Sequence, residues 1–304
     1  MLHITNGSSV SWDRSGIGGE IVLWVDVLHE GPVPAGLELE ELSRVRAAFL
    51  DSQFPNQISA ADGLARRDAA LQRFAEHEEI VLWFEHDLYD QLQIIQILDW
   101  FHGRDTGATR LSLICVDRYL GRLSGEQLAA LWPDRHAVTP AELELAACAW
   151  QAFRSPDPAG LEELLRTDTS ALPFLAGALL RHLQQFPSVE NGLSRTERQI
   201  LEAAGSGNHK FESLFQAEQK LEERIFMGDC TLFWHLRRLV DCRVPLLEEK
   251  DGYRLTEAGR DVLAGRADHI QLSGIDRWLG GVYLRGGEPL WRWDERGRRL
   301  VTLR

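Results

Sequence analysis

The sequence predicts an α/β fold: a Rossmann-like, mostly parallel sheet, followed by a helical linker, a winged-helix-like module and a short β tail. Two observations carry this. Short apolar runs at 2–5, 20–25, 79–84 and 110–116 alternate with stretches of helical rhythm, the pattern of strands joined by crossover helices. Polar side chains fall just past those runs: Asn6-Gly7-Ser8-Ser9, then Asp26 with His29-Glu30-Gly31-Pro32, then Glu85-His86-Asp87, then Asp117. In an open parallel sheet the carboxyl ends of the strands converge on one crevice, where ligands bind.

The elements follow in order. The strand at 2–5 leads through Asn6-Gly7 to a short helix at about 9–15, which Gly16, Gly18 and Gly19 can end. After the strand at 20–25, the run from His29 to Pro34 reads as a rigid loop, because Pro32 and Pro34 fix φ. Helices are expected at 37–50 and 58–77, where Leu64, Ala69, Leu71 and Phe74 recur among charges. The strand at 79–84 precedes a helix at 88–102 whose Leu92, Ile95, Ile97, Leu98 and Phe101 surround it, so it should be well buried. A strand at 110–116 and a helix opening at Ser124, with Gln127 completing a capping box, end the first unit. From 139 to 190 only helices are expected, at 140–153, 159–166 and 172–186, with Pro156 and Pro158 as a break. From Ser194 come three helices, to about 204, at 210–224 and at 228–239. A hairpin around Lys250-Asp251-Gly252 and a last helix at 256–263 complete the winged-helix pattern. Three short strands are expected in the tail, at 278–284, 290–293 and 300–303. The expected units are 1–138, 139–192, 193–266 and 267–304.

Charge narrows the partners. Residues 1–192 carry 14 basic against 28 acidic side chains, which argues against a broad nucleic-acid surface there. Residues 193–266 are near balance, with 12 against 13, and leave a local DNA contact open. The four cysteines form no C-x-x-C pair, so neither a disulfide framework nor a structural zinc site is expected. No secretory signal pattern and no apolar run of about 18 residues appears, so the expectation is a cytoplasmic protein without a membrane partner.

Each candidate site residue has a functional and a plainer reading. Asn6, Gly7 and Ser8 open onto a helix start, where backbone N–H groups hold phosphate or carboxylate; the alternative is a tight turn with a serine cap. His29 could move a proton with Glu30 as orienter or base, or both could hydrogen-bond within a rigid loop. Glu85 and Asp87 point the same way from a strand end and could share a cation with Asp26, leaving His86 on the opposite side. Alternatively Asp87 caps the next helix and Asp90 sits in its positive first turn. So many carboxylates near one another repel unless a cation or a shared proton offsets them, which is the case for Mg²⁺ or another divalent ion. In the third unit, Thr231, His235, Arg237 and Arg238 could face a DNA groove, but Glu222, Glu223 and Asp229 lie close by. Trp291-Arg292-Trp293 could stack on bases or form a packing strand.

The runs Leu2-His3-Ile4-Thr5-Asn6-Gly7, Trp24 to Pro32 and Trp83 to Gln91 resemble a bacterial domain-of-unknown-function family. Its members share an N-G opening, a D-x-L-H-E-G-P loop and a W-F-E-H-D-x-x-x-Q segment. The resemblance covers roughly residues 1–130. It implies no activity, but it implies that Asn6, Asp26, His29, Glu30, Glu85, His86, Asp87 and Gln91 belong to one site.

The expected function is binding or turnover of a phosphorylated or nucleotide-like small molecule at the strand ends. Asn6, Gly7, Ser8, Asp26 and Gln91 would bind it, Asp26, Glu85 and Asp87 would hold a divalent metal, and His29, His86 and Glu30 would carry protons. The alternatives are a ligand-responsive transcription regulator, with the winged helix on DNA, and a structural or protein-interaction module.

Overall fold

A computed structural model describes residues 1–7, 9–54, 59–207, 209–287 and 289–303. Its centre is a five-stranded sheet built from β1 (Leu2–Thr5), β2 (Glu20–Leu23), β4 (Glu79–Phe84), β5 (Arg110–Cys115) and β6 (His136–Ala137), in the order β2-β1-β4-β5-β6. The first four are parallel and β6 runs antiparallel at the edge. The remaining short strand of the first part, β3 (Gly31–Pro32), leaves this sheet and pairs elsewhere.

β4 lies in the middle and is buried along its whole length, because both faces of the sheet are covered. On one face Ile80, Leu82 and Phe84 join the main core. On the other, Val81 and Trp83 meet Trp12, Leu120 and Leu128 in a smaller cluster. Between β1 and β2 the expected helix shrinks to a single 3₁₀ turn at Trp12–Arg14. The stretch before Gly16 is too short to repay the cost of a helix nucleus, and no side chain caps it.

The helices α1 (Leu39–Gln53), α2 (Ala60–Gln72), α3 (Leu88–Phe101), α4 (Gly125–Ala130), α5 (Pro140–Arg154), α6 (Ala159–Leu164) and α7 (Leu175–Leu183) follow the expected order. α3 is apolar on nearly every side because it is enclosed on nearly every side, with α5 and α7 packed against it. Of its interior polar groups, Gln96 Oε1 accepts from the Trp24 indole at 2.9 Å, while Gln96 Nε2 and Gln93 Oε1 have no partner. Thr139 and Ser194 cap their helices as the capping-box pattern implies.

The later half contains α8 (Arg195–Gly205), α9 (Phe211–Gln219), α10 (Asp229–Asp241), the hairpin β7 (Leu247–Glu249) and β8 (Tyr253–Leu255), α11 (Glu257–Leu263) and α12 (His269–Ser273). The tail forms two hairpins, β9 (Asp276–Gly280) with β10 (Val282–Arg285), and β11 (Leu290–Asp294) with β12 (Arg299–Leu303). The first was expected as one strand. It turns back because Gly280 has φ +59° and Gly281 presses on the Arg154 carbonyl, where any Cβ would collide with backbone. Nor is the His29–Pro34 segment only a loop: Gly31 and Pro32 of β3 pair in parallel with Leu279 and Gly280 of β9. The main core accordingly runs from Leu2 through α3, α7, α8 and α10 to Leu300. Among the described residues, twelve α-helices are present and no helix is long and apolar enough to cross a membrane.

Asp26 fixes the first part to α1. Its carboxylate accepts from Arg46 Nη2 at 2.8 Å, and both side chains are fully enclosed. Arg46 also donates to the carbonyls of Val27, Glu30 and Pro32. Asp26→Ala leaves that guanidinium buried without its counter-charge. The expected cost is ~3–5 kcal/mol, read as a lower urea midpoint with an unchanged m-value.

Candidate functional site

Three carboxylates meet at the carboxyl end of β4. Glu85 directly follows the strand, Asp87 is the N-cap of α3 and Asp90 lies in its first turn. One oxygen of each lies within 4.8 Å of the others, and all three residues are buried. Hydrogen bonds hold the group in place. The Leu120 amide donates to Glu85 Oε1 at 2.7 Å, and the Glu85 amide donates to Asp90 Oδ1 at 2.7 Å. Asn6 Nδ2 donates to Asp90 Oδ2 at 2.7 Å, and the Asp90 amide donates to Asp87 Oδ1 at 3.2 Å. Gln91 Nε2 holds the Glu85 carbonyl at 2.7 Å, which fixes the bend from strand to helix.

Their protonation reflects the crowding. Burial and the neighbouring Glu85 push Asp87 up to about 7. Burial, with Asp87 and Glu85 beside it, lifts Asp90 well above the usual carboxylate range. Burial also raises Glu85, against the pull of the Leu120 amide. Enclosed carboxylates at this spacing favour being neutralised, by protons or by a cation.

The trio opens on a cleft of about 370 Å³. Asn6 and Gly7 border it from β1, and Tyr119, Gly121 and Arg122 from beyond β5. The fourth wall is the α9–α10 connection, Ile225 to Gly228. That connection is pinned in place: the Ile225 amide donates to the Tyr119 hydroxyl at 2.6 Å, and Arg224 Nη1 donates to the His86 carbonyl at 3.0 Å. The Arg122 guanidinium lies 4.6 Å over the Tyr119 ring and has no carboxylate within ion-pair distance among the described residues. It is the cation at the rim of an acidic cleft.

Some expected residues gather here and others do not. Asn6, Gly7, Glu85, Asp87 and Gln91 belong to the cleft or its frame, while Ser8 lies outside the described residues. Asp26 is not with them: Arg46 holds it, so the third carboxylate is Asp90 instead. His86 points away from Glu85 and Asp87, packing against Tyr119 and Phe174. Asp117 is exposed. Spacing could have identified Asp90, since 85, 87 and 90 converge wherever a strand end runs into a helix turn. Tyr119 and Arg122 follow the β5 end and obey the same strand-end rule. Nothing local marked Ile225–Gly228, which arrive from more than a hundred residues away.

His29 and Glu30 belong to a second, fully buried cluster. Arg277 Nη2 donates to Glu30 at 2.6 Å, His235 Nε2 lies 3.2 Å from the same carboxylate, and Gln185 donates to it at 3.4 Å. Burial pushes Glu30 up, but Arg277 and His235 outweigh it and hold the carboxyl below the usual range. The His29 ring meets Phe226 edge-on at 5.0 Å, and neither of its nitrogens has a hydrogen-bond partner. Burial lowers His29 to about 3 and His182 to about 4, despite the Glu30 carboxylate nearby. Both rings are buried and neutral, so His29 is not placed as the proton carrier expected from its loop.

Comparison of the chain with protein-family models, with curated proteins and with solved structures gives no match. The motif resemblance therefore rests on its own residues.

The two histidines set a pH dependence. Their pKa is lower in the folded than in the unfolded chain, so the stability they contribute is complete above about 6.5. It is lost as pH falls toward 4 and 3. Each adds a slope of up to ~1.4 kcal/mol per pH unit in that window. Urea midpoints measured between pH 7.5 and 4 should fall with pH, and a folded His182→Phe variant should show the flatter profile.

Proposed function

We propose that the strand-end cleft is the ligand site of a Rossmann-like unit, seating a divalent cation on Glu85, Asp87 and Asp90. There it binds or turns over a phosphorylated or nucleotide-like small molecule. The convergence of three buried carboxylates at the carboxyl ends of parallel strands carries this reading. Hard cations such as Mg²⁺ take oxygen ligands of this kind and usually keep water and substrate phosphate in the remaining positions. A bound cation would offset the carboxylate repulsion and neutralise phosphate charge.

The other residues fit the same role. Arg122, held over Tyr119 and free of a carboxylate, is placed to meet a phosphate that the metal also holds. Asn6 orients Asp90, and the Leu120 amide orients Glu85. Ile225, Phe226 and Met227 give the cleft an apolar wall that excludes water.

DNA binding through a winged helix has less support. Arg237 is bound to Asp241 at 2.6 Å and to Glu249 at 3.0 Å, and Arg260 donates to the Leu255 carbonyl. α10, the helix that would enter a groove, turns Trp234 onto Gln53 and His235 onto Glu30. In the tail, Arg292 is committed to Asp268 and Trp293 is buried, which favours packing over base stacking.

Calorimetric titration of Mn²⁺ and Mg²⁺ tests the proposal, with Asp87→Asn and Asp90→Asn alongside. Burial already disfavours the charged form of Asp87, so asparagine is a close mimic there, whereas Asp90→Asn turns an amide nitrogen toward the Glu85 amide or Asn6 and is compared only if it folds. Cation affinity should fall at least tenfold in each. In a thermal-shift screen, a nucleotide or sugar phosphate should stabilise the wild type only with the cation, and neither variant. Equal cation binding by all three proteins would reject the reading.

A further inference from the structure

We infer that the cavity between α10, α12 and the β9–β10 hairpin is a second ligand site, taking a small oxyanion on Arg238, Arg285 and the His269 ring. The cavity measures about 600 Å³ and is separate from the strand-end cleft, with which it shares no lining residue.

Charge and hydrogen-bond pairing around the cavity leave two arginines over. Three carboxylates border the cavity, and two of them already face an arginine. Asp241 holds Arg237 at 2.6 Å, Glu197 accepts the Ser194 amide and lies 3.7 Å from Arg277, and Asp276 accepts from the Tyr283 hydroxyl at 3.0 Å. Arg277 is itself committed to Glu30. Arg238 and Arg285, also on the cavity wall, have no carboxylate within ion-pair distance and no hydrogen-bond acceptor among the described residues.

Arg238 is the more telling of the two. Its Nε is buried without a partner and its guanidinium rests on the Trp234 ring at 4.8 Å; Arg277 repels it, and Glu197, Glu30 and Asp276 offset that repulsion without making an ion pair with it. His269, 91% buried, lines the same cavity, and its Nδ1 has no hydrogen-bond partner. A half-buried guanidinium with no direct acceptor has donors left for an anion. A planar guanidinium fork binds carboxylate or phosphate through two parallel hydrogen bonds, and a neutral imidazole N–H supplies a third donor. A ligand carrying either group satisfies every group left over.

Titration of the full chain with inorganic phosphate and, separately, malonate tests this, against chloride at matched ionic strength. Histidine side-chain NMR with isotope-labelled protein gives the location. We expect at least one of the two oxyanions to bind, with the His269 ring resonances shifting to saturation and the affinity falling at least tenfold in Arg238→Gln. The exposed Arg285→Ala should weaken binding severalfold, and it decides the matter alone if Arg238→Gln fails to fold. Phosphate rather than malonate, or the reverse, identifies which oxyanion the site takes. No binding beyond chloride, binding that leaves His269 unmoved, or full affinity in the folded arginine variants would overturn the inference.

Discussion

One buried ion pair joins the ends of this chain. Glu30 and Arg277 are 247 positions apart, enclosed, and 2.6 Å from each other. The same carboxylate also faces His235 from α10 and Gln185 from beyond α7. A carboxylate with three other chain segments gathered on it specifies one arrangement, because parting it from Arg277 strands two charges away from water. The parallel pairing of Gly31 and Pro32 with β9 lies beside it and repeats the same connection through the backbone.

That arrangement brings the α9–α10 connection to the strand ends. His29, next to Glu30, gives Phe226 its edge-on contact, while Arg181 covers the Phe226 ring from another side at 4.8 Å. The cleft wall and the buried cluster therefore share a residue contact. The two groups of acids nonetheless have opposite character. Glu30 sits against the Arg277 guanidinium and is held ionised, whereas Glu85, Asp87 and Asp90 sit among one another and are driven toward neutrality. Similar side chains at similar burial differ here because their neighbours differ.

Much of the fold was legible. Apolar runs of strand length produced β1, β2, β4 and β5, and the capping box at Ser124 and the start read at Ser194 marked real helix starts. The errors lie where a local pattern was ambiguous or too short: the helix before Gly16, the tail strand broken at Gly280, and a proline loop that became β3. Of the cleft, Asn6, Glu85, Asp87 and Gln91 were legible because each stands at a strand end or helix start. Asp26 was misplaced for the same reason, since position alone does not reveal that Arg46 takes it.

By itself, then, the sequence determined the strand and helix alternation and the concentration of acids beyond β4. Periodicity and end chemistry are local properties, encoded within a few residues of each position. Only the tertiary structure decided which acid completes the trio, that His29 and Glu30 lie in the interior, and that Ile225–Gly228 wall the cleft. Those outcomes depend on contacts between segments far apart in the chain, whose energies are set by mutual burial and charge pairing rather than by neighbouring residues.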